Sequence, residues 1–380
     1  MKNIFFTAVL SLLLFSCTNN YEKTITVTNS LDFDRKGEIV EVNVSDLNAD
    51  FNAKTYVLKN SQGEEIGYQL ASNGSILIFQ ADVVANSSAV YKLTEGEPVP
   101  VAPKTDAFFV PERKDDFAFE NDLAAYRMYG PALANENPSN GVDLWLKKVN
   151  KPIMKQFYND EHHNGKSYHV DSGEGLDCYK VGHTLGAGGI APYADGIIYV
   201  ANQYSSHEII EKGALRSVFT LTYDSVKTEN DVYKQTITIT VDAGSTLNKA
   251  VVRYEGTGSE LTQLATGIYL HDTYAVKGII NSDDNNFITY AEDATSDAKL
   301  PAGRNYVGVV THEKSVKMIT DATSADPHLF RISDYNVGDE FIYYFGGGWN
   351  EWGYPTDNDW NIAVENFYKK TQSPLSIAVK

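Results

Sequence analysis

Apolar and polar positions alternate with a period of two through most of this chain, the pattern of strands with one buried face. Thr24-Ile25-Thr26-Val27 and Ile39-Val40-Glu41-Val42-Asn43-Val44 both alternate, and Asn60-Ser61-Gln62-Gly63 and Ser72-Asn73-Gly74 read as turns between strands. Residues 95–105, EGEPVPVAPKT, place three prolines within six residues, which bars a central strand and marks a linker. Two segments look helical instead: 122–128, stopped by Gly130-Pro131, and 142–157, interrupted at Pro152. Beyond residue 195 alternation dominates. Residues 217–223 and 233–241 read as a hairpin joined across 227–231, and further strands are expected at 249–255, 267–271, 287–291, 305–311, 316–319 and 340–345. No solenoid or propeller period is present. The pattern predicts an all-β chain, a large antiparallel β-sandwich with a few short helices. An N-terminal β unit over 24–105 is expected to join a main sandwich over 106–380. About 70 residues with no disulfide make a marginal domain alone.

The first seventeen residues follow another pattern. Lys2 precedes an apolar run from Ile4 to Phe15, and Ser16-Cys17 closes it. That layout is a secretory signal, and the cysteine after a small residue resembles the lipidation box of bacterial lipoproteins. Residues 1–17 are therefore expected to act as signal peptide and lipobox. Cleavage would leave Cys17 as the lipid-bearing N-terminus, held to a membrane at the periplasmic or outer surface. The run is too short to span a bilayer. With Cys17 lipidated, Cys178, the other cysteine of the chain, has no intramolecular partner. It reads as a small buried residue rather than a nucleophile.

The formal charge is -18 over 380 residues, which argues against nucleic acid as a partner because that needs a basic footprint. It also means that an anionic substrate must be met by local Arg, Lys, His or a metal. The 24 tyrosines, 17 phenylalanines and 4 tryptophans suit strands, and beyond packing they suit stacking on sugar faces.

Three segments concentrate candidate chemistry. Residues 116–131 hold Glu120, Tyr126, Arg127 and Tyr129 beside a turn; Arg127 presents a planar fork suited to a carboxylate, or else a buried structural ion pair. Residues 158–189 hold four of the eight histidines, His162, His163, His169 and His183, among closely spaced glycines, with Tyr168, Asp171 and Lys180 alongside. If 168–170 is a strand, His169 and Asp171 share a face and the carboxylate orients the imidazole. The segment is neither a P-loop nor a His-Glu-x-x-His zinc site. A divalent metal on His162, His169 and Asp171 is an alternative use, although the spacing matches no strong motif. Residues 345–360 place Trp349, Trp352 and Tyr354 in a glycine-rich loop, either a sugar-stacking wall or a loop pinned by its own aromatics. His207, His271, His312 and His328 lie among strands or turns and read as hydrogen-bonded core residues, with the lining of one cleft as the alternative for His271 and His312. No Gly-x-Ser-x-Gly elbow occurs.

The stretches FAFENDLAAYRMYGPAL, GVDLWLKKV and YHVDSGEGLDCYKVGHTLGAGGIAPY resemble a domain-of-unknown-function family, number 4861, of secreted Bacteroidetes lipoproteins. These accompany enzymes that degrade uronic-acid glycans such as pectin and ulvan. The resemblance implies a galactose-mutarotase-like supersandwich and an oligosaccharide dehydratase acting on ulvan fragments. β-Elimination from a uronate would then assign His169 as base with Asp171 as its orienter. Arg127 or Lys180, or a metal, would neutralise the carboxylate, and Tyr168, Tyr126 or Tyr129 would protonate the leaving group. No cofactor is required by that scheme. Two other readings stay open: a glycoside hydrolase using paired carboxylates, such as Glu174 with Asp177 or Asp357, and a non-catalytic glycan-binding lipoprotein.

Overall fold

The computed structural model describes residues 21–135, 139–258, 261–271, 287–296, 299–311, 317–320 and 326–380. The expected signal, Cys17 and His312 lie outside them. The chain is all-β, with helices only at Val44–Leu47, Met154–Asn164 and Asp357–Gln372 apart from two 3-10 turns, among the described residues.

Two large sheets carry the fold. One runs in the order Lys317–Thr320, His328–Asp334, Gln263–Tyr269, His183–Ala194, Asn140–Lys147, Ala125–Met128, Asp116–Glu120 and Asp106–Val110, with Gly175–Asp177 added beside Asn140–Lys147 and Ile197–Ile198 beside His183–Ala194. The other runs Ser206–Lys212, Arg216–Lys227, Val232–Asp242, Asn248–Glu255, Phe341–Trp349, Pro301–Thr311 and Phe287–Thr295. They face each other across one core in which Phe119, Tyr126 and Leu144 of the first meet Phe219 and Phe345 of the second. The expected hairpin is present, because Arg216–Lys227 and Val232–Asp242 bury alternate residues. Within the two large sheets the described strands pair antiparallel except Asn140–Lys147 with His183–Ala194, which run parallel. That pairing brings backbones close: Gly186 has φ +62°, and a Cβ there would lie 2.2 Å from the Val142 carbonyl oxygen.

Residues 22–95 form two sheets of their own around a separate core that includes Ile25, Leu58, Phe79 and Leu93. The C-terminal strand Ser376–Val379 pairs with Glu22–Asn29, so the unit contains both described ends of the chain. It adds no strand to the large sheets. It is joined to them by packing of Ile39, Ile76, Ile78 and Val101 on Leu215 and Ala243.

Three expectations are corrected. Residues 125–128 are a strand, not a helix: Asn121 Oδ1 accepts the Leu123 and Ala124 N–H groups in a turn, and Tyr126 and Met128 then point into the core. Residues 140–147 are also a strand, and the helix starts only after Pro152, where Glu120 accepts the Ile153 and Met154 N–H groups. Every residue of Asn140–Lys147 is buried because the helix covers the face turned away from the core, so no alternation shows. Residues 168–170 are a turn, not a strand.

Candidate functional site

The strand register decides which side chains meet. Arg127 lies opposite Asp143, Ala125 opposite Trp145, and Trp145 opposite Asp177. These positions face away from the main core, as do Asp116 and Ala118 on the neighbouring strand. The result is a buried ionic cluster on the outer face of the sheet. Arg127 Nε donates to Asp143 Oδ2 at 2.8 Å, its Nη2 donates to Asp177 Oδ2 at 2.8 Å, and its Nη1 stands 3.5 Å from Asp116 Oδ2. The guanidinium is also 4.9 Å from the centre of the Tyr129 ring and 5.1 Å from that of Trp145. Burial foremost, against the pull of Arg127 and Arg113, pushes the Asp116 carboxyl up to about 6, and the charge of Asp143 adds to the rise. Burial likewise drives the Tyr129 hydroxyl well above its ordinary range, so it stays protonated.

The chain after the Met154–Asn164 helix folds over this cluster. The Tyr168 ring packs 4.5 Å from Trp145, and its hydroxyl accepts from Arg113 Nε at 3.4 Å. His169 turns outward with its side chain 31% exposed; its Nδ1 is 3.0 Å from the Asp177 carbonyl oxygen and 3.6 Å from Asp177 Oδ2. Asp171 does not orient it. The Asp171 carboxylate takes Lys148 Nζ at 2.6 Å and the Gly173 N–H at 2.8 Å; partial burial pushes it up, but these bonds hold it below the usual carboxylate range. The orienting residue is Asp177, which sequence proximity to His169 did not single out for that role. Asp171→Asn is accordingly expected to cost less than about 1 kcal/mol as a partly exposed pair. Asp177→Asn, which unbalances the buried Arg127 cluster, is expected to cost about 3–5 kcal/mol in urea unfolding.

Beside His169 a cavity of about 320 Å³ opens, lined by Arg113, Arg127, Tyr129, Ser139 and Lys180 among others. His169, Arg127, Tyr129 and Lys180, all expected from the sequence, therefore converge. Arg113 and Asp177 join them, and only the register and the folded-over loop could have revealed that. Two recesses beside the N-terminal unit, about 370 and 920 Å³, are lined by no histidine.

The other candidates are placed elsewhere. Tyr126 is 1% exposed in the main core, and its hydroxyl accepts the Gly347 N–H at 3.0 Å. Glu120 is a buried anchor for Lys147, 2.7 Å away, and for the helix start. Trp349 is buried with Nε1 donating to the Ala302 carbonyl at 2.6 Å. Tyr354 donates to Thr246 Oγ1 at 3.2 Å and packs edge-on to Trp360. Trp352 is half-buried in a turn whose N–H meets the Trp349 carbonyl at 3.1 Å. Residues 345–360 are not one loop, since Trp349 ends the strand Phe341–Trp349 and Trp360 lies in the Asp357–Gln372 helix; what remains between them is a short turn held by these aromatics, which does not form an open stacking wall. Its Glu351 reaches Lys148 at 3.3 Å, which places it next to Asp171. His162 and His163 are exposed on the helix, and among the described residues no group of His, Cys, Asp or Glu gathers in the manner of a metal site. Asp357 pairs with Arg304 and Glu174 with Lys151, so these carboxylates are engaged separately.

A family model described as a domain of unknown function, DUF4861, matches residues 27–377. A protein of Formosa agariphila described as "Uncharacterized protein P7" is 28% identical over 394 residues, covering 97% of this chain and 96% of that one. Among solved structures, an alpha-mannosidase from Enterococcus faecalis V583 superposes with a TM-score of 0.50 at 9% identity, over 95% of this chain and 46% of that chain. A glycosyl hydrolase family 38 protein from Enterococcus faecalis superposes with a TM-score of 0.51 at 8% identity, over 95% and 47%. At such identities the likeness is one of fold, and this chain spans about half the length of the two enzymes.

Proposed function

The chain belongs to the DUF4861 family, and on that premise we propose that it is a carbohydrate-active enzyme that removes water or a sugar from uronate-containing oligosaccharides by β-elimination. The observation that carries this reading is the convergence of a laterally held histidine, a protonated tyrosine and cations on one cavity of a chain whose net charge is -18. The mannosidase-like fold supports a carbohydrate substrate, and the family resemblance supports a uronate.

In this reading the roles are divided anew. The charge of Arg127 is already answered by Asp116, Asp143 and Asp177, so the substrate carboxylate falls to the exposed Lys180 and to Arg113. His169 donates from Nδ1 to the Asp177 carbonyl, which leaves Nε2 as the basic nitrogen. It takes the proton from C5 of the uronate; the freed electron pair forms the C4–C5 double bond, and the C4–O bond breaks. Tyr129, kept protonated by burial, gives its proton to the departing oxygen. Tyr168 is the supporting ring beneath His169, 4.6 Å away, rather than the acid. The enzyme is extracytoplasmic and anchored in a membrane through lipidated Cys17.

Incubating the lipid-free chain with ulvan and pectin oligosaccharides, while following near-ultraviolet absorbance and product mass, tests the proposal. A conjugated uronate with loss of water marks a dehydratase, and one with chain cleavage marks a lyase. New reducing ends without that absorbance would overturn elimination in favour of hydrolysis.

A further inference from the structure

Behind the cavity wall stands a second histidine that the elimination scheme does not use. His271 follows the strand Gln263–Tyr269, and its Nδ1 is 2.7 Å from Glu292 Oε1. Glu292 is 5% exposed, and its carboxylate also accepts from Asn305 Nδ2 at 3.0 Å, its register partner on the adjoining strand, and from the Tyr290 hydroxyl at 3.0 Å. The other ring nitrogen of His271, Nε2, hydrogen-bonds the main-chain carbonyl of Lys180. Tyr179 and Tyr269 flank the ring edge-on at 4.6 and 4.8 Å. A carboxylate and a main-chain carbonyl both accept, so each ring nitrogen must carry a proton and the side chain is an imidazolium.

We infer that His271 is a positioning residue: its imidazolium, held by Glu292, fastens the Lys180 main chain so that the Lys180 ammonium faces the cavity and meets the anionic group of the sugar. The inference rests on the reading of that cavity as a uronate site. Among the described residues the charged and titratable groups around the ring are Glu292 and Tyr290, Lys180 and Tyr179, and Tyr269 with His328 and Asp326 beyond it. Burial works against the imidazolium, but the hydrogen bond and charge of Glu292 overcome it and raise its titration above the ordinary imidazole range. A group raised in this way contributes its full stability below the unfolded value and loses it as pH rises through the folded value. The Lys180 turn is therefore fastened in acid and released in alkali.

Hydrogen exchange of the full chain tests this without any ligand. With intrinsic exchange rates accounted for, the amides of residues 179–182 are expected to exchange about tenfold faster in His271→Asn. The wild type should acquire that behaviour as pH rises, and Glu292→Gln, which preserves shape, should acquire it at lower pH. Exchange that is unchanged in both variants would overturn the inference. Calorimetry with trigalacturonate gives the second readout. His271→Asn and Lys180→Ala should each weaken binding about tenfold, and the double variant should be no weaker than either alone. Additive losses would mean that His271 does not act through Lys180. Trigalacturonate that fails to bind the wild type would overturn the uronate reading, while the exchange result would still decide the role of His271.

Discussion

Arg127→Ala is expected to lower the unfolding free energy by about 3–5 kcal/mol, a large part of the roughly 5–15 kcal/mol that holds a folded domain. Three carboxylates surround the guanidinium, and all are closed off from water: Asp116 and Asp143 at 0% exposure and Asp177 at 2%. Removing the cation leaves like charges confined together, where Asp143 Oδ1 and the Tyr158 hydroxyl have no hydrogen-bond partner among the described residues. Arg127→Lys keeps the charge but not the fork that reaches Asp143 and Asp177 together, so it should lose less than alanine and more than a surface substitution. The pH dependence has a definite sign. Burial already holds the Asp116 carboxyl above its ordinary value against the pull of Arg127, and removing that pull leaves it raised, so it contributes stability in acid that is lost as pH rises through its folded-state value. Urea unfolding should therefore show the largest deficit of Arg127→Ala at alkaline pH and a narrower one in acid. A deficit below about 1 kcal/mol at every pH would mean that the cluster is solvated and carries little of the fold.

What could be read from the sequence followed how each element is buried. The Arg216–Lys227 and Val232–Asp242 hairpin was legible because one face is in the core and the other is not. Asn140–Lys147 was not, since a helix from the same chain covers its second face and erases the alternation. The Asp357–Gln372 helix carries its own signal in the reciprocal cap between Thr356 and Asp359, but the loop expected over 345–360 extends across its first turn. At the site, residue type pointed to Arg127, Tyr129, His169 and Lys180, which the cavity gathers. Type and nearness in sequence also pointed to Asp171, and there failed. Asp177 reaches His169 because Gly175–Asp177 adds to a strand some thirty residues earlier, with Gly175 at φ +137° where a Cβ would lie 2.0 Å from the Leu146 carbonyl oxygen. Such a partner is set by register between distant segments, which local patterning does not encode.

His169→Ala separates chemistry from folding. The side chain is about a third exposed and touches the Asp177 carbonyl, the edge of the ionic cluster and the Tyr168 ring, so its loss should change the unfolding free energy by less than about 1 kcal/mol. Its removal should cost about 10²–10⁴ in the rate of elimination, the usual worth of a positioned base, and the loss should fall on kcat because the proton moves only in the transition state. Lys180→Ala should lower both terms, weakening the hold on substrate and depressing kcat, since negative charge builds on the carboxylate as the C5 proton leaves and the cation meets it more strongly there than in the bound state. Arg127→Ala would depress both through the fold. If His169→Ala folds as the wild type does and still forms the unsaturated uronate at the wild-type rate, the base lies elsewhere. Asp177 would then hold a ring that shapes the cavity without moving a proton.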